Sequence, residues 1–139
     1  MKKTSVPLVI AFTPDYFIPA ATCLYSIITS MQAEGELHVI CLLSEELPER
    51  LKLKIQLIGE GRTCYSFVNL QGKLQHIYID QKYTEAASYR LLLPDLLPEY
   101  KKVIYIDCDI IVRNDLVQLY HSIDLGMNYL AAVFEASMD

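Results

Sequence analysis

Two carboxylates separated by one residue, Asp107 and Asp109, follow directly on the apolar run 103–106. Their oxygens can face one ion while the chain turns at Cys108, and hard cations such as Mg²⁺ and Mn²⁺ prefer oxygen ligands. Carboxylates this close repel one another unless a cation or protons intervene. The spacing therefore indicates a divalent-metal site, with a solvated pair of charges as the open alternative.

A second polar cluster, Thr13-Pro14-Asp15-Tyr16, follows the apolar run 8–12. In a parallel sheet covered by helices, ligands bind outside the carboxyl ends of the strands. This cluster and the aspartate pair are therefore the candidates for chemistry. A third cluster, Ser44-Glu45-Glu46, is interpreted as the start of a helix, because serine followed by acids is a helix-start signal.

Continuous apolar runs that alternate with amphipathic stretches must position these clusters, and they predict an α/β domain over residues 1–139. Such runs are typical of a mostly parallel sheet flanked by helices on both faces. The predicted strands are residues 8–12, 37–43, 64–70, 74–79, 103–106 with 110–112 as a continuation, and 129–134. The predicted helices are a stretch ending at Met31 and residues 44–58, 84–93 (stopped by Pro94) and 116–120.

Composition limits the function classes. With a net charge of −5, the chain lacks the clustered Lys and Arg that hold nucleic acid, and no apolar run is long enough to span a membrane. We expect a cytoplasmic protein, because the first apolar run lacks a cleavage site and the cysteines form no metal-ligand or disulfide pattern. The cysteines, interpreted as small buried apolar residues, are Cys23, Cys41, Cys64 and Cys108, and the histidines, interpreted as structural or surface residues, are His38, His76 and His121.

Residues 103–115, VIYIDCDIIVRND, resemble the Asp-x-Asp segment of retaining glycosyltransferases of the glycogenin and lipopolysaccharide galactosyltransferase family, glycosyltransferase family 8. Further segments are similar in the same order, and the resemblance covers nearly the whole chain. These segments are residues 9–16, 23–27, Ser88-Tyr89-Arg90-Leu91, Asp124-Leu125-Gly126 and residues 129–135. The resemblance implies a Rossmann-like GT-A nucleotide-diphospho-sugar transferase fold, truncated at its C-terminal side.

The resemblance also implies roles for single residues. Asp107 and Asp109 would bind Mn²⁺ or Mg²⁺ on the diphosphate of a UDP-sugar, with Asp107 near the ribose and Cys108 beside it. Arg90 would position the donor, and Glu135 would lie near the acceptor pocket. Around the uracil, the resemblance implies stacking by Tyr16, with Ala11, Thr13 and Asp15 about the base.

The implied reaction transfers a hexose, galactose or glucose, from a UDP-sugar to a saccharide or lipopolysaccharide-type acceptor. The resemblance assigns no nucleophile. The metal would neutralise the charge that builds on the departing UDP. For Tyr16 a half-buried loop aromatic, for Arg90 a surface helix residue and for Glu135 a solvated side chain remain the alternatives.

Members of this family continue beyond the segment that ends at Asp139, with an Asn-Ala-Gly element, a late metal-binding histidine and a lysine near the diphosphate. We therefore expect a fragment with most of the donor site, weak metal affinity and little transfer activity by itself. We also expect self-association through uncovered apolar surface, and peripheral membrane association through the remaining part.

Two other functions stay open at this point. One is a non-catalytic nucleotide-sugar-binding remnant. The other is a haloacid-dehalogenase-type phosphatase, which also places Asp-x-Asp after an apolar strand but usually has threonine or serine two residues beyond the second aspartate, where this chain has Ile111. Dinucleotide oxidoreduction is disfavoured because no G-x-G-x-x-G follows the first strand.

Overall fold

A computed structural model describes residues 5–74 and 88–133. Its core is a four-stranded parallel sheet in the order β3-β2-β1-β4, which confirms the predicted α/β class. The strands are β1 (Val6–Phe12), β2 (Leu37–Leu43), β3 (Thr63–Asn69) and β4 (Ile104–Ile106). The helices are α1 (Phe17–Ser30), α2 (Glu49–Gln56), α3 (Leu93–Leu96) and α4 (Leu116–Ser122), with 3-10 turns at Pro14–Tyr16 and Tyr89–Leu92.

Both faces of the sheet are buried, as its continuous apolar strands require. Alternate residues of a strand point to opposite faces, so β1 contributes Leu8 and Ile10 to one core and Val9 to the other. The first core packs against α1, α2 and α4. The second core packs against the 3-10 turn that contains Tyr89, which is fully buried. Burial on both faces explains why the strands read as apolar runs.

The register of the central strands decides where the polar clusters lie. β1 pairs with β2 along its full length, from Val6 opposite Leu37 to Phe12 opposite Leu43. On its other side β1 pairs with β4, and the last pair is Ile10 opposite Ile106. β1 and β4 therefore run in the same direction and end at the same edge of the sheet.

The predicted start of the second helix at Ser44-Glu45-Glu46 is wrong. α2 begins at Glu49, after Pro48, whose carbonyl accepts hydrogen bonds from the backbone N–H groups of Leu51 (2.8 Å) and Lys52 (3.1 Å). Proline disfavours helical backbone in the residue before it, so the helix cannot extend back through residue 47. The serine and acids instead form the connection that leads from β2 to α2.

Three further predictions in the second half differ from the structure. Residues 110–112 do not continue β4, because the chain turns at 108–109 and its backbone then bonds to α1. Pro94 lies in the first turn of α3, where its missing N–H has no helical partner to lose. The described part of the last predicted strand, 129–133, is not a strand.

Two predicted elements fall largely outside the described residues. Of the predicted strand 74–79, only Leu74 is described, and it lies in a turn. Residues 84–87 of the predicted helix 84–93 and residue 134 also lie outside the described ranges. Within those ranges, no helix has the length and apolar character needed to cross a membrane. Cys23 and Cys41 are buried as predicted, whereas Cys64 is exposed.

Candidate functional site

The two polar clusters singled out from the sequence lie at the same edge of the sheet. The last paired residues of β1 and β4 are Ile10 and Ile106, so one residue further along each strand come Ala11 and Asp107. Neighbouring strands are about 4.8 Å apart. The structure therefore brings the turn after β1 beside the aspartate pair after β4.

The turn after β1 is a single 3-10 turn that leads straight into α1. Its backbone N–H at Tyr16 donates to the carbonyl of Thr13 at 2.9 Å, and Pro14 occupies the first helical position, which proline favours. Asp15 and Tyr16 point into solvent, and the side chain of Tyr16 is 46% exposed. Ala11 is buried in the second core. The turn thus presents one aromatic ring and one carboxylate at the sheet edge.

The aspartate pair follows β4 at a turn whose backbone is tied to α1. Asp107 and Asp109 are both exposed, while Cys108 between them packs against the first core. The Cys23 thiol of α1 donates to the carbonyl of Asp107 at 3.8 Å. One side chain of the tripeptide therefore anchors it, and the two carboxylates remain open to solvent.

Arg90 lies on the same side of the sheet as the second core, over Tyr105, which comes two residues before Asp107. Its guanidinium carbon is 5.7 Å from the centre of the Tyr105 ring in β4, within range of a cation–π contact. Burial is the main cause of the raised pKa of Tyr105; the charge of Asp107 raises it further and that of Arg90 opposes this. Arg90 and Asp107 therefore both lie within electrostatic range of the same phenol.

The electrostatic field at the end of β4 is negative. Burial raises the pKa of the Cys108 thiol, and the charges of Asp109 and Asp107 add to the shift. Burial likewise raises the pKa of Cys23 to about 11, and Cys108 and Asp109 contribute in the same direction. In both thiols the carboxylates make a secondary contribution to the shift, because a nearby negative charge disfavours a thiolate. A cation at this edge would be attracted by the same field.

The chemistry of the donor set fits a hard divalent cation. Two exposed carboxylates, Asp107 and Asp109, supply oxygen ligands of the kind that Mg²⁺ and Mn²⁺ prefer. Within residues 5–74 and 88–133, no group of three or more His, Cys, Asp or Glu side chains could hold a metal ion. Further oxygen ligands could come from a bound diphosphate, from water, from hydroxyl or carbonyl groups of the chain, or from outside those ranges.

Two serines of α1, Ser26 and Ser30, contact the segment after the aspartate pair and were not predicted as site residues. The Ser26 hydroxyl oxygen accepts from the backbone N–H of Val112 at 2.9 Å, and the Ser30 hydroxyl donates to the Val112 carbonyl at 2.9 Å. Their spacing of four residues places both on one face of the helix. The four-residue spacing of these serines is visible in the sequence and could have indicated a shared contact.

The structure brings most of the predicted residues to one edge of the sheet. They are Ala11, Thr13, Asp15 and Tyr16 after β1, Asp107, Cys108 and Asp109 after β4, and Arg90 beside β4. Glu135, the residue predicted for the acceptor pocket, lies outside the described residues. The described residues therefore cover the donor side of the predicted site.

Comparisons with solved structures show the same fold. The apo structure of the WbbM bifunctional glycosyltransferase matches with a TM-score of 0.75 at 23% identity, covering 89% of this chain and 22% of that chain. A galactosyltransferase LgtC structure, in complex with donor and acceptor sugar analogs, matches with a TM-score of 0.70 at 21% identity, covering 87% and 44%. These likenesses establish the GT-A fold.

Comparisons of sequence identify the family. General stress protein A of Bacillus subtilis (strain 168) is 25% identical over 140 residues, covering 98% of this chain and 49% of that protein. The chain thus spans about half the length of this relative. Residues 7–139 match the sequence model described as "Glycosyl transferase family 8". The chain belongs to glycosyl transferase family 8, as the Asp-x-Asp segment and the order of its motifs predicted.

Proposed function

We propose that this chain forms the donor-binding part of a retaining glycosyltransferase that uses a UDP-hexose, galactose or glucose, as donor. The observation that carries the proposal is the pair of exposed carboxylates, Asp107 and Asp109, at the end of β4 beside the turn that ends β1. Membership of family 8 supports glycosyl transfer as the reaction class. Membership of family 8 also disfavours the alternative of a haloacid-dehalogenase-type phosphatase.

The aspartate pair has a defined part in this proposal. Asp107 and Asp109 would hold Mn²⁺ or Mg²⁺ on the diphosphate, and Asp107 and Cys108 would lie near the ribose. When bound, the cation supplies Lewis-acid stabilisation of the UDP leaving group. An acidic chain with a net charge of −5 can hold a diphosphate in this way, because the cation reverses the local sign of the potential.

The turn after β1 and Arg90 complete the proposed donor site. Tyr16 offers an exposed ring on which the uracil stacks, and Thr13 and Asp15 lie around the base. Ala11, whose side chain is buried in the second core, would reach the base only through its backbone. Arg90 lies over Tyr105, two residues before Asp107, and would orient the diphosphate or the donor sugar. Arginine suits this task because its planar fork of N–H donors matches phosphate oxygens.

The acceptor side of the proposal rests on the resemblance alone. We propose a saccharide or lipopolysaccharide-type acceptor, with Glu135 near its pocket. No carboxylate of this chain is assigned as a nucleophile, and a departure and attack on the same face of the sugar ring would need none. We also propose a cytoplasmic site of action, since UDP-sugars are the donor and the cysteines form no disulfide pattern.

Calorimetric titration of UDP, with and without Mn²⁺, tests the metal-dependent site. We expect Mn²⁺ to strengthen UDP binding, and Asp107→Asn or Asp109→Asn to abolish that enhancement. Glu60→Gln, the same change at an exposed carboxyl in the turn between α2 and β3, serves as the control and should bind like the unsubstituted chain. UDP binding that is indifferent to Mn²⁺ in the unsubstituted chain would contradict the proposal.

A mixed pool of nucleotide sugars identifies the donor. The chain is incubated with Mn²⁺ and equal amounts of UDP-galactose, UDP-glucose, UDP-N-acetylglucosamine and GDP-mannose. Mass spectrometry then identifies the nucleotide sugars that stay bound. We expect UDP-galactose or UDP-glucose to be retained, and the Asp107→Asn chain to retain neither. Preferential retention of GDP-mannose would overturn the assignment of the base.

A further inference from the structure

The chain after Asp109 needs hydrogen-bond partners that the sheet does not supply. β4 ends at Ile106, and residues 110–113 belong to no strand or helix. Val112 is half-buried against the first core, where an unpaired backbone N–H or C=O is costly. Something other than the sheet must satisfy its backbone, and whatever does so also fixes the path of the chain three residues beyond Asp109.

Both backbone groups of Val112 are held by α1. The Ser26 hydroxyl oxygen accepts from the Val112 N–H at 2.9 Å, and the same hydroxyl donates to the carbonyl of Cys23 at 2.6 Å. The Ser30 hydroxyl donates to the Val112 carbonyl at 2.9 Å. Two side chains of one helix therefore hold the two peptide groups that flank the Cα of Val112.

The same helix begins at the other half of the site. α1 starts at Phe17, immediately after Tyr16, and its 14 residues extend for about 21 Å. Just beyond its end, the backbone N–H of Gln32 donates to the Asp115 carboxylate at 2.9 Å, and that carboxylate also caps α4. α1 thus links the turn after β1 to the segment that follows the aspartate pair.

We propose that Ser26 and Ser30 are positioning residues that hold the Asp107–Asp109 turn in the geometry that binds the metal and diphosphate. This inference rests on the proposed function, and it adds two residues that touch neither ligand. Without the two hydroxyls, Val112 would lose its two hydrogen bonds to α1 while the fold of the sheet remained. The carboxylates would then sample orientations that do not converge on one ion.

Amide hydrogen exchange of Val112, measured by NMR, directly tests the hydrogen bond between its backbone N–H and the Ser26 hydroxyl. Ser26→Ala should accelerate exchange of the Val112 amide, and Ser26→Thr, which keeps a hydroxyl, should restore protection. Thr29→Ala is the matched control, because the Thr29 hydroxyl bonds only to carbonyls of its own helix, at Tyr25 and Ser26, 3.1 Å each. Unchanged exchange in Ser26→Ala would overturn the inference.

Mn²⁺ affinity in the presence of UDP, measured from the EPR signal of free Mn²⁺, tests the positioning role. We expect Ser26→Ala and Ser30→Ala each to weaken Mn²⁺ binding by about tenfold, the usual effect of removing a group that orients a metal ligand. Ser→Thr at each position should recover most of the loss, and Thr29→Ala should bind normally. A merely structural role would lower the melting temperature without changing Mn²⁺ affinity well below it.

The outcomes separate this inference from the proposed function. If the unsubstituted chain binds Mn²⁺ with UDP and both Ser→Ala variants retain its affinity within twofold, this inference is wrong and the proposed function stands. If the unsubstituted chain shows no Mn²⁺-dependent UDP binding, the proposed function fails and this inference fails with it.

Discussion

Tyr16 lies at the solvent side of the turn that ends β1, and its ring contributes little to the core. Truncating it should therefore change ligand binding far more than folding. We expect Tyr16→Ala to weaken UDP binding by about 1–3 kcal/mol, the value of one aromatic ring stacked on a base, and Tyr16→Phe to bind nearly as the unsubstituted chain does. Calorimetric titration with UDP in excess Mn²⁺ measures both.

Tyr25→Ala is the matched control for Tyr16, because its ring is also exposed, by 64%, but on α1. It should leave UDP affinity unchanged. If Tyr16→Ala binds UDP as tightly as Tyr25→Ala does, the ring does not stack on the base, and the alternative of a half-buried loop aromatic is correct.

At this scale the sequence predicts residue types better than residue contacts. Asp107 and Asp109 could be identified because they directly follow an apolar strand and because the segment around them resembles the Asp-x-Asp segment of family 8. The contact of Arg90 with Tyr105 depends on the packing of a distant turn on β4, which no local pattern encodes. Ser26 and Ser30 carried a weak signal in their spacing, but serine pairs at that spacing are common on helices.

Among elements, a hydrogen-bonded trio ties β2 and β3 to the segment that leads into β4. The imidazole of His38 in β2 is 2.5 Å from the Tyr100 hydroxyl and 2.7 Å from the Ser66 hydroxyl of β3. Burial lowers the pKa of His38, and the charge of Glu99 opposes the shift. The neutral ring is therefore the form that the folded state favours.

The lowered pKa of His38 predicts that the stability of the folded chain decreases as the pH is lowered. In the unfolded chain, His38 takes up a proton at the ordinary pKa of about 6.5, whereas in the folded chain it does so only at a lower pH. Protonation of His38 therefore favours unfolding. The contribution is complete above pH 6.5 and is lost as the pH falls through the folded value. Urea unfolding at pH 7.5 and 5.5 should show a smaller loss of stability for His38→Gln than for the unsubstituted chain.

His121→Gln is the control for this effect, because His121 is exposed at the end of α4. All other titratable groups are common to the three chains. Only the difference between chains therefore reports on the histidine. Equal pH dependence in the His38→Gln and unsubstituted chains would show that burial does not favour the neutral imidazole.

Lys102 joins the start of β4 to the end of α4. Its ammonium donates to the carbonyls of Tyr120 (2.6 Å) and Ile123 (2.5 Å), where the dipole of the helix favours a cation. Lys102→Met keeps the apolar stem and leaves both carbonyls without this donor, so we expect a loss of about 1–2 kcal/mol in the free energy of unfolding. Urea denaturation measures the loss.

Lys101→Met is the matched control for Lys102, since the Lys101 side chain is exposed. It should change the free energy of unfolding by less than about 0.5 kcal/mol. A similar loss in both variants would mean that the charge of this segment, rather than the bonds to α4, determines the effect.

Elements that bury a whole apolar run were predictable, and elements decided by a distant partner were not. β2 matches its predicted bounds because its residues are buried on both faces of the sheet. The end of β4 depends on bonds from Val112 to α1, and the start of α2 depends on Pro48. The first requires tertiary structure, whereas the second is a local rule that outweighs the signal of Ser44-Glu45-Glu46.

At the scale of the molecule, the described surface includes an apolar segment that packs against neither core. In the segment 127–133, Met127 is 99% exposed, Tyr129 102%, Leu130 77% and Val133 95%. Soluble monomers rarely expose several large apolar side chains in succession. The other exposed large apolar residues of the described ranges are spread over α1, α2, α4 and the connecting turns, so this segment is the strongest candidate for self-contact.

We expect the chain to self-associate through this segment. Because its net charge is −5, copies repel one another at low ionic strength, so association should strengthen as salt screens the repulsion. Sedimentation velocity over a range of concentrations, at about 0.02 and 0.3 M salt, measures both effects.

Leu130→Glu should shift the distribution towards monomer, because it buries a charge in any contact made there. Leu53→Glu is the control, because it adds the same charge at an exposed leucine of α2. A shift of equal size in both variants would show that net charge, and not contact through residues 127–133, determines the effect.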